Sequence, residues 1–239
     1  MRIAMWSGPR NLSTAMMYSF GARDDFAVVD EPFYATYLEK TGLDHPMRDE
    51  VIASQKTEVV AVVDDLLGPI SEGKPHFYQK HMCQHMLPDI PRDWISAVKN
   101  VFLLRHPARV IASFSKKYAD LTLADIGFTQ QSELFDQIVA DGKRPIVIDS
   151  FDIRQNPEGM LRALCDALGL DWDPAMLSWP TGGHPADGVW AKVWYDAVHS
   201  STGFAGAEGP LPAVQAEHEV LLEQAIPHHE RLERLKIRL

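Results

Sequence analysis

Short apolar runs, each ended by Gly, Pro or charged residues, alternate along this chain with longer stretches of helical spacing. Residues 3–6 form an apolar run that stops at Ser7-Gly8-Pro9, after which Leu12, Met16, Ser19 and Phe20 recur at three- and four-residue steps. That pattern predicts strand, tight turn, helix. A second run, 26–29, stops at Asp30-Glu31-Pro32, where proline cannot extend a ladder, so the two carboxylates are expected at the C-terminal end of a strand. Residues 76–80 after Lys74-Pro75, 101–104 before Arg105-His106-Pro107, and 146–148 after Arg144-Pro145 read as three further strands.

Helical patterns fill the intervals at 51–67, 107–118, 130–140 and 156–168, the last closed by Gly169. Strands alternating with helices imply an α/β fold, a central parallel sheet of about five strands flanked by helices. The segment 179–209 is rich in Gly, Pro, His and Trp without long periodicity and reads as a loop region folded over something. A C-terminal helix is expected over 214–237, broken or kinked at Pro227. The whole, 1–239, reads as a single domain.

Composition narrows the function classes. With 46% hydrophobic residues in 239, the chain can cover both faces of one sheet. A net charge of -10 repels a phosphate backbone, which excludes a general nucleic-acid binder but leaves room for a small anion where cations gather. The apolar runs are too short for a signal core or a membrane span, so no membrane partner and a cytoplasmic location are expected. Cys83 and Cys165 stand far apart in no metal-ligand spacing and read as buried thiols.

The candidate chemistry begins at the first strand-to-helix turn. In an open parallel sheet, ligands bind outside the carboxyl ends of the strands, where a helix N-terminus offers N–H donors to an anion. There Gly8 permits the turn, Arg10 supplies a bidentate cation, and Ser13 and Thr14 supply hydroxyls. No Lys precedes Ser13 or Thr14, so the nucleotide-kinase pattern GxxxxGK[ST] is absent. After the fourth strand, Val110, Ile111, Phe114 and Tyr118 make an apolar stripe, while Arg109, Ser113, Lys116 and Lys117 lie on another, cationic face.

Gly8-Pro9-Arg10-Asn11-Leu12-Ser13-Thr14 together with Leu104-Arg105-His106-Pro107 resembles the P-loop sulfotransferases, over residues 2 to about 170. The resemblance implies a P-loop nucleotide-hydrolase/sulfotransferase-like fold and 3′-phosphoadenosine 5′-phosphosulfate as cosubstrate. It implies that residues 8–14 grip the 5′-phosphosulfate, and that Arg105 and Ser113, eight positions apart, clasp the 3′-phosphate. The chain departs from the family at three points: Arg10 stands where many cytosolic members carry a catalytic Lys, Leu12 replaces a loop Gly, and no Arg-Lys-Gly occurs near the C-terminus. Ser201, Thr202 and Gly203 are the candidate replacement for the last.

Sulfuryl transfer needs cations around the transferred group and a base for the acceptor. Arg10 and Lys80 are the candidate cations. Glu31 is the first candidate base, at the end of a strand expected beside the loop. His81 and His85, four apart and alignable on a helical turn, are its rivals. No metal is expected, because the Glu of H-E-x-x-H is missing; Asp30 reads as a strand-end cap. Trp179, Trp190, Trp194, Tyr195 and Phe204 line either an acceptor pocket or a local core. The partner expected is a small-molecule acceptor carrying a hydroxyl or amine, and a homodimer is left open. The alternatives are a non-catalytic sulfotransferase-like nucleotide-binding protein and, third, a P-loop phosphotransferase.

Overall fold

The computed structural model describes residues 1–116 and 120–239. Five strands, β1 (Arg2–Ser7), β2 (Phe26–Asp30), β3 (His76–Met82), β4 (Lys99–Leu104) and β5 (Ile146–Asp149), form one sheet in the order β2-β3-β1-β4-β5. Every pairing is parallel. The alternation along β1 explains the two cores. Ile3 and Met5 point to one face with Met16, Met17 and Phe20 of α1 (Ser13–Gly21) and Leu161 and Leu164 of α9 (Pro157–Leu168). Ala4 and Trp6 point to the other, with Val62 and Leu66 of α4 (Val59–Leu67) and Leu134, Phe135 and Ile138 of α7 (Phe128–Ala140). A strand covered on both faces loses polar alternation, which is why its sequence reads as a continuous apolar run.

The strand order corrects one expectation. β3 lies between β1 and β2, so Glu31 does not end a strand adjacent to the loop strand; it reaches the loop across Lys80, whose carbonyl accepts from the Glu31 amide at 3.0 Å.

The helices differ more. The stretch 51–67 is two helices, α3 (Arg48–Ser54) and α4, with Gln55 extended between them (φ -132, ψ 165). The break has a use: Gln55 Oε1 accepts from the Ala35 amide at 3.0 Å and Nε2 donates to the Glu31 carbonyl at 3.1 Å. α2 (Tyr34–Thr41), which fixes the chain after Glu31, has no counterpart in the expected elements. α5 covers Pro107–Phe114, capped by His106; Lys117 and Tyr118 of the expected 107–118 helix lie outside the described residues. α6 (Leu123–Ile126) precedes α7, and α8 (Ser150–Gln155) precedes α9, which ends at a left-handed Gly169. The loop-rich 179–209 contains α10 (Ala191–Trp194) and α11 (Asp196–His199). The C-terminal helix is α12 (Glu219–Glu233), shorter than 214–237, and it continues through Pro227. Both cysteines are buried and free. Among the described residues no helix is long and apolar enough to cross a membrane.

His81 and His85 do not share a helical turn. His81 is in β3 and stacks on Trp6, ring centroids 4.5 Å apart, with Phe33 and Trp94 around it. His85 ends a short 3₁₀ turn, Cys83–His85. Because side chains alternate across β3, His81 joins the core face and leaves Lys80 and Met82 toward the other side.

Two outcomes follow from this packing. A Cβ on Gly8 would lie 2.7 Å from the Ile126 carbonyl oxygen, so Gly8→Ala should lower stability by about 1–3 kcal/mol, read by denaturant titration. Burial holds the His81 imidazole down to a pKa of about 3, with His85 a minor contributor. The folded state therefore keeps His81 neutral while the unfolded chain takes a proton near the ordinary 6.5. Stability is full above that value and falls as pH drops, by about 2 kcal/mol from this residue at about pH 5. His81→Phe should flatten that part of the denaturant-midpoint against pH curve.

Candidate functional site

A cleft of about 310 Å³ opens across the C-terminal ends of the strands, between the β1–α1 loop, β3, Arg105 and the α10–α11 segment. Its floor is the loop. Asn11 Nδ2 donates to the Leu103 carbonyl at 2.9 Å and Oδ1 accepts from the Leu12 amide at 2.8 Å, which pins the loop to β4. Arg10, not Gly8, takes the left-handed conformation, φ +54. Gly8 is needed instead for the close approach of Ile126, and it is not on the cleft wall. No side chain caps the start of α1, so its first amides keep the donor character that suits an anion. Pro9 through Thr14 all line the cleft.

The two expected anion-binding turns meet. Arg10 Nε donates to Ser113 Oγ at 3.1 Å, and Arg105 Nη1 donates to the Arg10 carbonyl. Ser113 is thus joined to the cleft through Arg10. Burial first, and the positive charge of Arg105 second, lower the Arg10 pKa; an anion beside the guanidinium opposes both effects.

On the opposite wall stands a group of buried acids and bases. Glu31 has φ +42 and is 8% exposed, a left-handed conformation rare for a side chain with Cβ and frequent at functional sites. Lys80, 1% exposed, donates to Glu31 Oε1 and Asp30 Oδ1, both at 2.7 Å, and to the Tyr195 hydroxyl at 2.5 Å. That hydroxyl donates to Asp30 Oδ2 at 2.8 Å and accepts from Trp190 Nε1 at 3.0 Å. Burial alone would lower the Lys80 ammonium, but Asp30 and Glu31 outweigh it and hold it above its ordinary value. For the Asp30 carboxyl, burial raises the pKa, Lys80 opposes and Glu31 adds; the balance is upward. Asp30 also accepts from the Gly188 amide at 3.1 Å, so it anchors the 179–209 segment rather than capping its own strand.

His85 Nε2 lies 4.0 Å from Glu31 Oε2. Its ring is stacked against Tyr34 at 4.7 Å and Tyr37 at 4.8 Å. Burial, then His45 and Lys80, push its pKa well below 6.5, so it is neutral at pH 7.

The structure thus brings Arg10, Glu31, Lys80, His85, Arg105 and residues 9–14 to one cleft, with Ser113 held through Arg10. It leaves His81 in the core. Ser201 and Gly203 line the cleft and Thr202 does not. Ser201 Oγ donates to the Val198 carbonyl at 2.8 Å and accepts from Trp179 Nε1 at 3.2 Å, and Gly203 bridges Ser178. The Thr202 carbonyl accepts from the Trp179 amide at 3.2 Å, so these three residues hold the end of the segment against its start at Ser178 and Trp179. Of the aromatics, Trp190, Trp194 and Tyr195 line the cleft, whereas Trp179 packs on Tyr18 and Phe204 as core. Tyr34, His45 and Met82 are wall residues that no motif announced. Tyr195 is the polar partner of Lys80 that the aromatic composition of its segment alone did not single out. Among the described residues no group of three or more His, Cys, Asp and Glu could hold a metal ion.

Branched-chain-amino-acid aminotransferase-like proteins 1 and 2 of Arabidopsis thaliana are 38% identical over 225 residues and 36% identical over 227 residues. Each alignment takes in 94% of this chain but 40% of the relative, so the chain spans well under half the length of these relatives. In fold, the sulfotransferase domain of the Synechococcus PCC 7002 olefin synthase superposes with a TM-score of 0.54 at 18% identity, covering 94% of both chains. A sulfotransferase from Alicyclobacillus acidocaldarius gives 0.54 at 12% identity, covering 98% of this chain and 94% of its own. The sulfotransferase domain model matches residues 1–235, and with the five-stranded parallel sheet and the loop at its C-terminal edge this chain belongs to the sulfotransferase-domain family.

Proposed function

We propose that this chain transfers a sulfuryl group from 3′-phosphoadenosine 5′-phosphosulfate to a hydroxyl or amine of a small-molecule acceptor. The observation that carries the reading is the hydrogen bond from Arg10 to Ser113, which joins the two phosphate-binding turns of the sequence at one edge of a cleft whose other wall holds Glu31 and His85. The residues present fit such a nucleotide. The uncapped start of α1 offers amides, Ser13 and Thr14 are at its first positions, and Arg10 has a lowered pKa that an anion would restore.

The nucleotide supplies an activated sulfuryl group. The acceptor oxygen or nitrogen forms a bond to sulfur, the bond from sulfur to the 5′-phosphate oxygen breaks, and the acceptor's proton passes to a base. Glu31 and His85 are the candidates to take it: Glu31 accepts a hydrogen bond from Lys80 through Oε1, and burial keeps His85 neutral at pH 7. Arg10 and the loop amides stabilise the charge that develops on the leaving oxygen. Lys80 acts through Glu31 and Asp30, because its three donors are engaged by Asp30, Glu31 and Tyr195. The acceptor lies against Tyr34, Trp190 and Trp194 in this reading, an apolar wall suited to a hydrocarbon or ring bearing the nucleophile.

A second reading, nucleotide binding without turnover, is favoured by one specific feature: the cleft's lysine is neutralised by two carboxylates rather than open to a transferred group. The aminotransferase-like names of the plant relatives are not extended to this chain, since the sulfotransferase match accounts for residues 1–235.

Adenosine 3′,5′-bisphosphate should raise the melting temperature and ATP with magnesium should do so much less, because a ligand of the native state stabilises it by mass action; equal shifts, or none, would sink the nucleotide assignment. With labelled phosphosulfate nucleotide and a panel of phenols, alcohols and amines, Glu31→Gln should keep bisphosphate binding and lose about a hundredfold or more in transfer. Full activity in Glu31→Gln with loss in His85→Ala would move the proton to His85. Binding without transfer to any acceptor, in every variant and the wild type, would establish the second reading.

A further inference from the structure

The chain between α11 and α12 crosses the outer end of the cleft as a strap. From 205 to 214, beyond the Ser178–Gly203 bridge, no residue forms a backbone–backbone hydrogen bond among the described residues. Arginine side chains hold it instead. Arg154 Nε donates to the Gly206 carbonyl at 2.9 Å, and Arg109 Nη2 donates to that of Gly209. At the centre is Glu208, whose side chain is only 4% exposed although it stands on an irregular loop. Its Oε1 accepts from Arg105 Nη2 at 2.5 Å and from Arg154 Nη1 at 2.7 Å, and Arg109 Nε lies 3.0 Å from Oε2.

This cluster is poorly balanced. Three guanidiniums pair with one carboxylate, an excess of two positive charges within the four paired side chains, while Asp149, Glu230 and Glu233 stand further along the adjoining cavity with Lys236. Its hydrogen bonding is also incomplete: despite the short ion pair, Oε2 lacks a well-directed donor, and Arg105 Nε is buried without an acceptor. A phosphomonoester carries about 1.5–2 negative charges and three acceptor oxygens, which matches three guanidiniums better than a carboxylate does. Its position matters as well. Arg105 borders the main cleft, whereas Arg109 and Glu208 border a second cavity lined also by His106, Phe151 and Leu211. Glu208, on the wall of the second cavity, is joined to the main cleft through its ion pair with Arg105.

We propose that Arg105, Arg109 and Arg154 form a phosphate subsite in which Glu208 is an internal counter-ion, displaced together with its strap when the 3′-phosphate of the nucleotide binds. The subsite supplies from the turn after β4, from α5 and from α8 the cations that the absent C-terminal Arg-Lys-Gly leaves missing, and Glu208 sets the affinity by competing for them. The proposal rests on the nucleotide reading given above.

The test is calorimetric titration of wild type and Glu208→Gln with adenosine 3′,5′-bisphosphate and with adenosine 5′-monophosphate, which has no 3′-phosphate. Removing a charged competitor worth one charge-assisted contact should tighten the bisphosphate about ten- to a hundredfold and leave the monophosphate within about twofold. Unchanged or weakened bisphosphate binding in Glu208→Gln would make Glu208 a structural clamp and overturn the proposal, as would equal tightening of both ligands. Should neither nucleotide bind either protein, the functional reading fails by itself, and inorganic phosphate decides the subsite: a larger melting shift in Glu208→Gln than in wild type keeps it, an equal shift ends it. If Glu208→Gln does not fold, Glu208→Asp, one methylene short of the guanidiniums, should still tighten the bisphosphate about threefold or more, and no tightening overturns the idea.

Discussion

The ammonium of Lys80, buried at the C-terminal end of the third strand, is the contact on which the site's shape depends. A charge so placed is tolerated only with partners of opposite sign and full hydrogen bonding. Asp30, Glu31 and Tyr195 provide both. The partners come from two distant parts of the chain, the adjacent Asp30 and Glu31 and the remote Tyr195, so one side chain ties the end of β2 with the turn into α2, and the segment around α11, to the sheet edge. Removing either carboxylate would leave a buried charge underpaired, and removing Lys80 would leave two carboxylates facing each other.

This requirement has consequences on both sides. Glu31 bends into a left-handed conformation to present Oε1 to Lys80, and Gln55 holds the resulting turn through the Glu31 carbonyl. The other oxygen of Glu31 is left toward His85. On the far side, Asp30 and Tyr195 carry Gly188 and Trp190 with them, which brings an otherwise irregular segment over the cleft. The acid–base wall and the aromatic wall are therefore one construction rather than two.

Arginine plays the equivalent part at the opposite edge. Arg105 reaches from the end of β4 to the Arg10 carbonyl and to Glu208, so the conformation of the loop, the position of α5 and the course of the strap are coupled through one guanidinium. Planar, multidentate donors suit such a role where a lysine would serve one partner at a time. A net charge of -10 over the chain is compatible with a local gathering of cations because Arg10, Arg105, Arg109 and Arg154 meet around the C-terminal ends of β1, β4 and β5.

The strands, their parallel arrangement and the positions of the two strand-to-helix turns were legible in the sequence, because each is a local matter: apolar runs long enough to span a covered sheet, and turn residues immediately after them. Helix α9 was legible for the same reason, with Asn156, Pro157 and Gly169 marking its ends. The break at Gln55 was not, since the apolar spacing of 51–67 runs on through it and the reason to stop is a pair of hydrogen bonds to Ala35 and Glu31. Nor was the separation of His81 from His85. Their spacing fits a helical turn, but the strand register that pairs Trp6 with His81 sends one ring into the core and leaves the other in the 3₁₀ turn at the cleft. The sequence by itself determined which residue types stand at the ends of the strands. Tertiary structure alone decided that Lys80 is satisfied by Asp30, Glu31 and Tyr195 and that Glu208 lies among three arginines, because the partners are separated by 49 to 115 positions and such groups meet only when strand order and burial force them together.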